Sequence, residues 1–161
     1  MSKRMLVSIK TEKKNSLRHV WKFRNPFRVF FNFGVIWLSK YIPCMEFKKD
    51  FLGLSGMKIG KDVSIGLAAV FDIFYPELIE IGNNSIIGYN ATILAHEFLV
   101  GELRTGKVKI GKNVMVGANT TILAGIEIGD GATICAATMV DGNVPAGAFA
   151  KGNPMVVQVK K

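Results

Sequence analysis

The chain of 161 residues is poor in the residue types that bind metals or form cross-links. It has two cysteines, Cys44 and Cys135, and two histidines, His19 and His96. Two cysteines make no disulfide framework, so a reduced, intracellular setting is expected. A zinc site built from three histidines is excluded, and His96-Glu97 lacks the second histidine of a zinc-protease helix. No metal is expected. The longest greasy run, Val29 to Ser39, is only 11 residues, bounded by Arg28 and Lys40. A bilayer crossing takes roughly 18 or more, so no transmembrane helix is expected. Met1 to Lys14 is basic without the apolar core of a signal peptide. No phosphate-binding Walker loop is present, and Gly129-Asp130-Gly131 lacks a dinucleotide fingerprint. Acidic residues are scarce at one end. Residues 1–58 hold 13 Lys/Arg against three acids, a balance of +10, whereas 59–161 balance at −1 within the net +9. That asymmetry divides the chain into two chemistries.

What the second part has is a six-residue repeat. Blocks begin at Ile59, Ile65 and Phe71; at Ile81, Ile87 and Ile93; at Ile110, Val116 and Ile122; and at Ile128, Ile134 and Val140. Seven of the 12 carry Gly in second place, and a small or branched residue usually stands fifth. Sandwich strands recur every 8–12 residues and helices follow a 3.6 period, so neither explains six. Hexapeptide periodicity is the mark of a parallel β-helix. Alternation along each brief strand sends the first and fifth residues inward, and Gly, Asn and Asp near the bends are expected to supply positive φ. Three blocks make one coil, giving four coils over 59–76, 81–98, 110–127 and 128–145. Residues 77–80 shift the phase, and 99–109 interrupt it as a loop. The expected organisation is 1–58 as an N-terminal α-helical cap, 59–154 as an all-β solenoid, and 155–161 as a tail.

The His96 near the end of the second coil, the loop through Glu102-Leu103-Arg104, the return at Lys109-Ile110-Gly111 and the closing Val144-Pro145 with Gly152-Asn153-Pro154 resemble the hexapeptide-repeat acyltransferases. The galactoside and maltose O-acetyltransferase branch is the nearest. The resemblance implies a left-handed parallel β-helix and a homotrimer with sites between subunits. It also implies acetyl-CoA as donor and a hydroxyl of a sugar or glycan as acceptor. His96 is then the general base, because an alcohol attacks a thioester only if its proton is taken, and a neutral imidazole can take it. His19 is read as a surface residue and Cys135 as a small coil residue. By the same resemblance Ala118 and Ala136 line the acetyl-CoA arm, with Lys151, Lys160 or Lys161 meeting its phosphates. Asp72, Glu97, Glu102 and Arg104 are the polar residues expected near the acceptor. A non-catalytic β-helix scaffold, or acetylation of an amine or small xenobiotic, are the competing functions.

Ten of the 16 aromatic residues precede residue 58. Ser16 and Asn25 suit helix caps, Pro26 suits a first helical position, and Pro43 ends the helix. One helical face carries Phe27, Phe30, Phe31, Gly34, Val35, Leu38 and Tyr41, leaving a narrow polar strip at Arg28, Asn32 and Ser39. Two readings stand: a cap packed on the first coil or a neighbouring subunit, or an interfacial helix bringing residues 1–50 to an anionic membrane. The second would place a cytoplasmic protein peripherally at the inner face of the membrane. With so much apolar surface among the cations, no nucleic-acid partner is expected.

Overall fold

The structure is a computed structural model that describes residues 4–159, the side chains of residues 12–14 excepted. The chain opens with strand β1 (Val7–Asn15), a 3-10 turn (Ser16–His19) and the short helix α1 (Val20–Phe23). Helices α2 (Pro26–Ser39) and α3 (Met45–Gly53) follow. The first coil contains β2 (Lys58–Ile59), β3 (Ser64–Ile65) and β4 (Val70–Phe71). The second contains β5 (Ile79–Ile81), β6 (Ile86–Ile87) and β7 (Thr92–Ile93), and then leaves the prism as the long strand β8 (His96–Thr105). The third contains β9 (Val108–Ile110), β10 (Met115–Val116) and β11 (Thr121–Ile122). The fourth contains β12 (Glu127–Ile128), β13 (Thr133–Ile134) and β14 (Met139–Val140). The chain closes with β15 (Phe149–Lys151) and β16 (Val156–Gln158).

Three parallel faces result: β2-β5-β9-β12, then β3-β6-β10-β13-β15, then β4-β7-β11-β14. The register stacks the first residue of every block on its equivalent. Ile59, Ile81, Ile110 and Ile128 form one column, Ile65, Ile87, Val116 and Ile134 the next, and Phe71, Ile93, Ile122 and Val140 the third. All but Ile59 are essentially buried, each side chain contributing about 1.5–3 kcal/mol of transfer free energy. The columns run on past the fourth coil, because Val144 bridges Ile128 and Ala150 pairs with Ile134. The prism therefore has four coils and part of a fifth. The tail is not loose, since β16 folds back antiparallel on β15.

Glycine in second place has a different cause from the one expected. Positive φ falls on the fourth residue of the block: Asp62, Ala68, Asn84, Asn90, Asn113, Asn119 and Ala137. The second-place glycines instead mark where neighbouring coils touch. A Cβ on Gly66 would lie 2.7 Å from the Tyr89 nitrogen, and one on Gly88 would lie 2.6 Å from that of Ala118.

The N-terminal region departs further from expectation. Val7-Ser8-Ile9-Lys10 pairs antiparallel with Glu102–Thr105, so the interruption up to Thr105 is half of a two-stranded ribbon, and Val108–Ile110 already belongs to β9 of the third coil. Asn15, not Ser16, caps the 3-10 turn by accepting the Leu17 N–H, and Ser16 is buried. Asn25 caps α2 as expected, with Pro26 at its first turn. The buried side of this helix is Val29, Asn32, Val35, Ile36 and Ser39, and its aromatic side faces outward. Of the polar strip, Asn32 and Ser39 lie inward and Arg28 stays exposed. Asn32 Nδ2 donates to the Ile73 carbonyl (3.0 Å) and Ser39 Oγ to the Ile36 carbonyl (2.7 Å).

Candidate active site

Within the first two coils, the fifth residue fails to turn inward only where the third face passes into the first. There the fifth positions are Tyr75 and Glu97, both partly exposed, whereas Val63, Ala69, Ser85 and Ala91 are buried. This is also where the repeat is interrupted. A 3-10 turn at Pro76–Leu78 absorbs the four-residue shift, and β8 leaves one coil later. The broken corner carries His96 at the root of β8.

Asp72 lies beneath it at 2% exposure. Its Oδ1 accepts the N–H groups of Phe74 (2.8 Å) and Tyr75 (2.9 Å), and its Oδ2 accepts that of Ala95 (2.7 Å) and meets His96 Nδ1. Burial pushes the Asp72 carboxyl up, but the His96 contact and the N–H groups of Tyr75 and Ala95 outweigh it and hold the carboxyl below its usual range. A carboxylate there makes Nδ1 the protonated nitrogen, so Nε2 is the one left to accept a proton. Phe98 (4.7 Å), Phe74 (5.0 Å) and Tyr75 (6.0 Å) surround the imidazole ring, centroid to centroid. Arg24 sits over the Tyr75 ring and pairs with Glu77 at 2.7 Å. His96 keeps 15% of its side chain exposed. The arrangement is a fixed base in an apolar collar, suited to taking a proton from a bound hydroxyl.

The other expected site residues are dispersed. Asp72 was expected near an acceptor; both its oxygens are buried and engaged, by backbone N–H groups and by His96 Nδ1. Glu97 points away from His96, as alternation along a strand requires, and pairs with Arg4. Arg104 pairs with Glu102, whose other oxygen accepts from Ser8 Oγ at 2.6 Å. Ala118 and Ala136 stack at a different corner, between the second and third faces, where the Ala137 N–H donates to the Ala118 carbonyl at 2.8 Å. Lys151, exposed, ends β15 one residue short of the same corner. Lys160 and Lys161 lie outside the described residues. No group of three or more His, Cys, Asp and Glu suited to a metal occurs among the described residues. Sequence reasoning passed over Phe74, Tyr75, Phe98 and Arg4. The alternation His96-Phe98 on one side and Glu97 on the other was the available signal for Phe98.

A family model for the hexapeptide repeat of succinyl-transferase matches residues 107–141. The candidate acetyltransferase YvoF of Bacillus subtilis (strain 168) is 51% identical over 145 residues, 88% of this chain and 83% of that protein. Among solved structures, the hexapeptide-repeat acetyltransferase VCA0836 of Vibrio cholerae, complexed with acetyl-coenzyme A, superposes with a TM-score of 0.70. It covers 84% of this chain and 88% of that one at 16% identity. A maltose O-acetyltransferase from Clostridium difficile 630 superposes at 0.62 over 84% and 88%, at 20% identity. At such identities the likeness is one of fold, and it makes the prism a left-handed parallel β-helix.

Proposed function

This chain belongs to the hexapeptide-repeat acetyltransferases and is an acyltransferase; from that premise we propose that it moves the acetyl group of acetyl-CoA to a hydroxyl of a sugar or glycan-type acceptor, with His96 as general base. The Asp72–His96 pair is the observation that carries the reading. As the acceptor oxygen attacks the thioester carbonyl carbon, His96 Nε2 takes its proton while Asp72 steadies the resulting imidazolium. The tetrahedral intermediate collapses by breaking the C–S bond. The CoA sulfur leaves with the proton from His96, returning the imidazole to its neutral form. No covalent enzyme intermediate is required. An N–H donor at Ala118 would stabilise the charge that develops on the thioester oxygen.

His96 and the Ala118–Ala136–Lys151 edge occupy different corners of one prism, so one copy alone does not assemble the site. Side-by-side packing of three copies, each His96 corner against the alanine edge of the next, supplies both halves and closes a ring. Small residues on that edge leave room for the extended pantetheine arm, and Lys151 is the cation nearest its phosphates. Glu97 and Arg104, on the ribbon above His96, stand at the acceptor's rim. Thiol release from acetyl-CoA, measured with a panel of sugars, tests the proposal. Turnover with a sugar hydroxyl that falls ~10²–10⁴-fold in His96→Ala is expected; an unchanged rate overturns the assignment of His96.

A further inference from the structure

The α2 helix is apolar on both of its sides. Val29, Val35 and Ile36 are buried with Asn32 and Ser39 beneath it, while outward Phe27, Phe30, Phe31, Trp37 and Leu38, followed by Tyr41, are from 47% to 85% exposed. Only Arg28 interrupts the apolar sequence of this helix with a charge, and Arg28 is turned to the Ser55 carbonyl. Trp21 extends the surface by stacking on Phe30, with ring centroids 6.1 Å apart. A contiguous aromatic face of this kind on a folded domain marks a contact with something apolar.

Its direction narrows the choice. The bonds from helices α2 and α3 go to the first coil: Asn32 to Ile73, Lys48 Nζ to the Gly66 carbonyl, and, just past α2, the Ala68 N–H to the Lys40 carbonyl. Ile36 and Leu52 seal the open end of the core. The helices therefore form a lid across the end of the prism, and the aromatic face looks outward along its long axis. Side-by-side packing of prisms covers their flanks and leaves this end uncovered. Charge separates the two remaining occupants. Residues 16–57, which make up the lid, hold seven Lys/Arg against Glu46 and Asp50, and Arg18, Lys22 and Lys40 form no ion pair among the described residues. Two such ends would repel each other, whereas an anionic surface would attract either.

We propose that the aromatic lid docks the protein on an anionic lipid bilayer, with α2 lying in the interface plane. Aromatic side chains enter the headgroup boundary while Arg18, Lys22 and Lys40 meet lipid phosphates. No helix among the described residues is long and apolar enough to cross a membrane, so the contact is peripheral. In a ring of three copies the lids share one end of the assembly, and the rest of the prism projects from the bilayer. The lid and its charge stand apart from the acetyl-transfer reading, and the test keeps them apart.

The full-length protein is floated with vesicles of phosphatidylcholine alone and with about one third phosphatidylglycerol added. Expected are capture by the anionic vesicles only and release as salt is raised. Phe30→Asp with Trp37→Asp weakens partitioning about tenfold or more. Arg18→Glu with Lys22→Glu does the same through charge, at about fivefold per lost cation, without touching the apolar face. Both pairs keep circular dichroism and turnover with a soluble acceptor. Equal recovery in the unbound fraction with and without phosphatidylglycerol overturns the proposal. So does a doubled mass in sedimentation that the Phe30/Trp37 pair abolishes, because the lid is then a contact between copies.

Discussion

Replacing Asp72 with Asn keeps the size of the side chain and removes the charge that fixes the imidazole tautomer. With Asp72, Nδ1 carries the proton and Nε2 is free to receive another; with Asn, that preference is lost and no counter-charge remains for the imidazolium. A fall in kcat of about 10²-fold or more with little change in KM for acetyl-CoA is expected, read from thiol release. The same residue gives the fold a dependence on acid. Its carboxyl is held below its usual range, so its stabilisation is complete above about pH 4, the ordinary value. That stabilisation is lost as pH falls through the lower, folded value. Thermal unfolding followed down a pH series therefore declines more steeply in the wild type than in Asp72→Asn. His96 could be picked out as a candidate from its place before the interruption of the repeat. Its pairing with Asp72 could not, because residues 24 positions apart become neighbours only through the register of two coils.

At the level of elements, the six-residue period made the strands and their stacking readable, since each first residue has one geometry available to it. The ribbon was harder to see. Its strands show alternation, as in Val7-Ser8-Ile9-Lys10, but alternation in an isolated segment names no partner. Helix α2 defeated inspection for another reason. The spacing of apolar residues says which side of a helix is greasy, and burial is normally inferred from that; here apolar residues run almost all round, Val29, Val35 and Ile36 are buried and the aromatic rings are exposed. Where ribbon and prism meet, Gly125 adopts φ +76° against the Met5 backbone, and a Cβ would stand 2.9 Å from the Met5 carbonyl carbon. Gly106 approaches the same strand, a Cβ there lying 2.6 Å from the Met5 oxygen. Gly125→Ala is expected to destabilise the protein by about 1–3 kcal/mol, with the strain at that φ and the displaced β1 acting together. Chemical denaturation measures it, and Gly131→Ala serves as the comparison because positive φ there meets open space.

For the whole molecule, the separation of His96 from Ala118 by one corner has a consequence that two inactive proteins can reveal. In the proposed ring of three copies, His96→Ala spoils one side of each junction, and Ala118→Trp, by filling the alanine edge, spoils the other. Alone, each ring lacks every complete junction. Mixed and reassembled, rings that place an intact His96 corner against an intact alanine edge recover a fraction of wild-type thiol release. Absence of any recovery, with mixed rings verified by mass, would mean that each copy completes its own site.

The hydrogen bond from the Ala68 amide to the Lys40 carbonyl carries a last implication. Deeper in the prism the equivalent amides of Asn90, Asn119 and Ala137 each bond to the preceding turn, so Lys40 stands where a missing turn would be. A solenoid cut short without such a substitute would present raw β-rims to any neighbour. By mimicking a turn that was never made, the helices bring the tally of coils to a halt and keep a stackable architecture from growing into a filament.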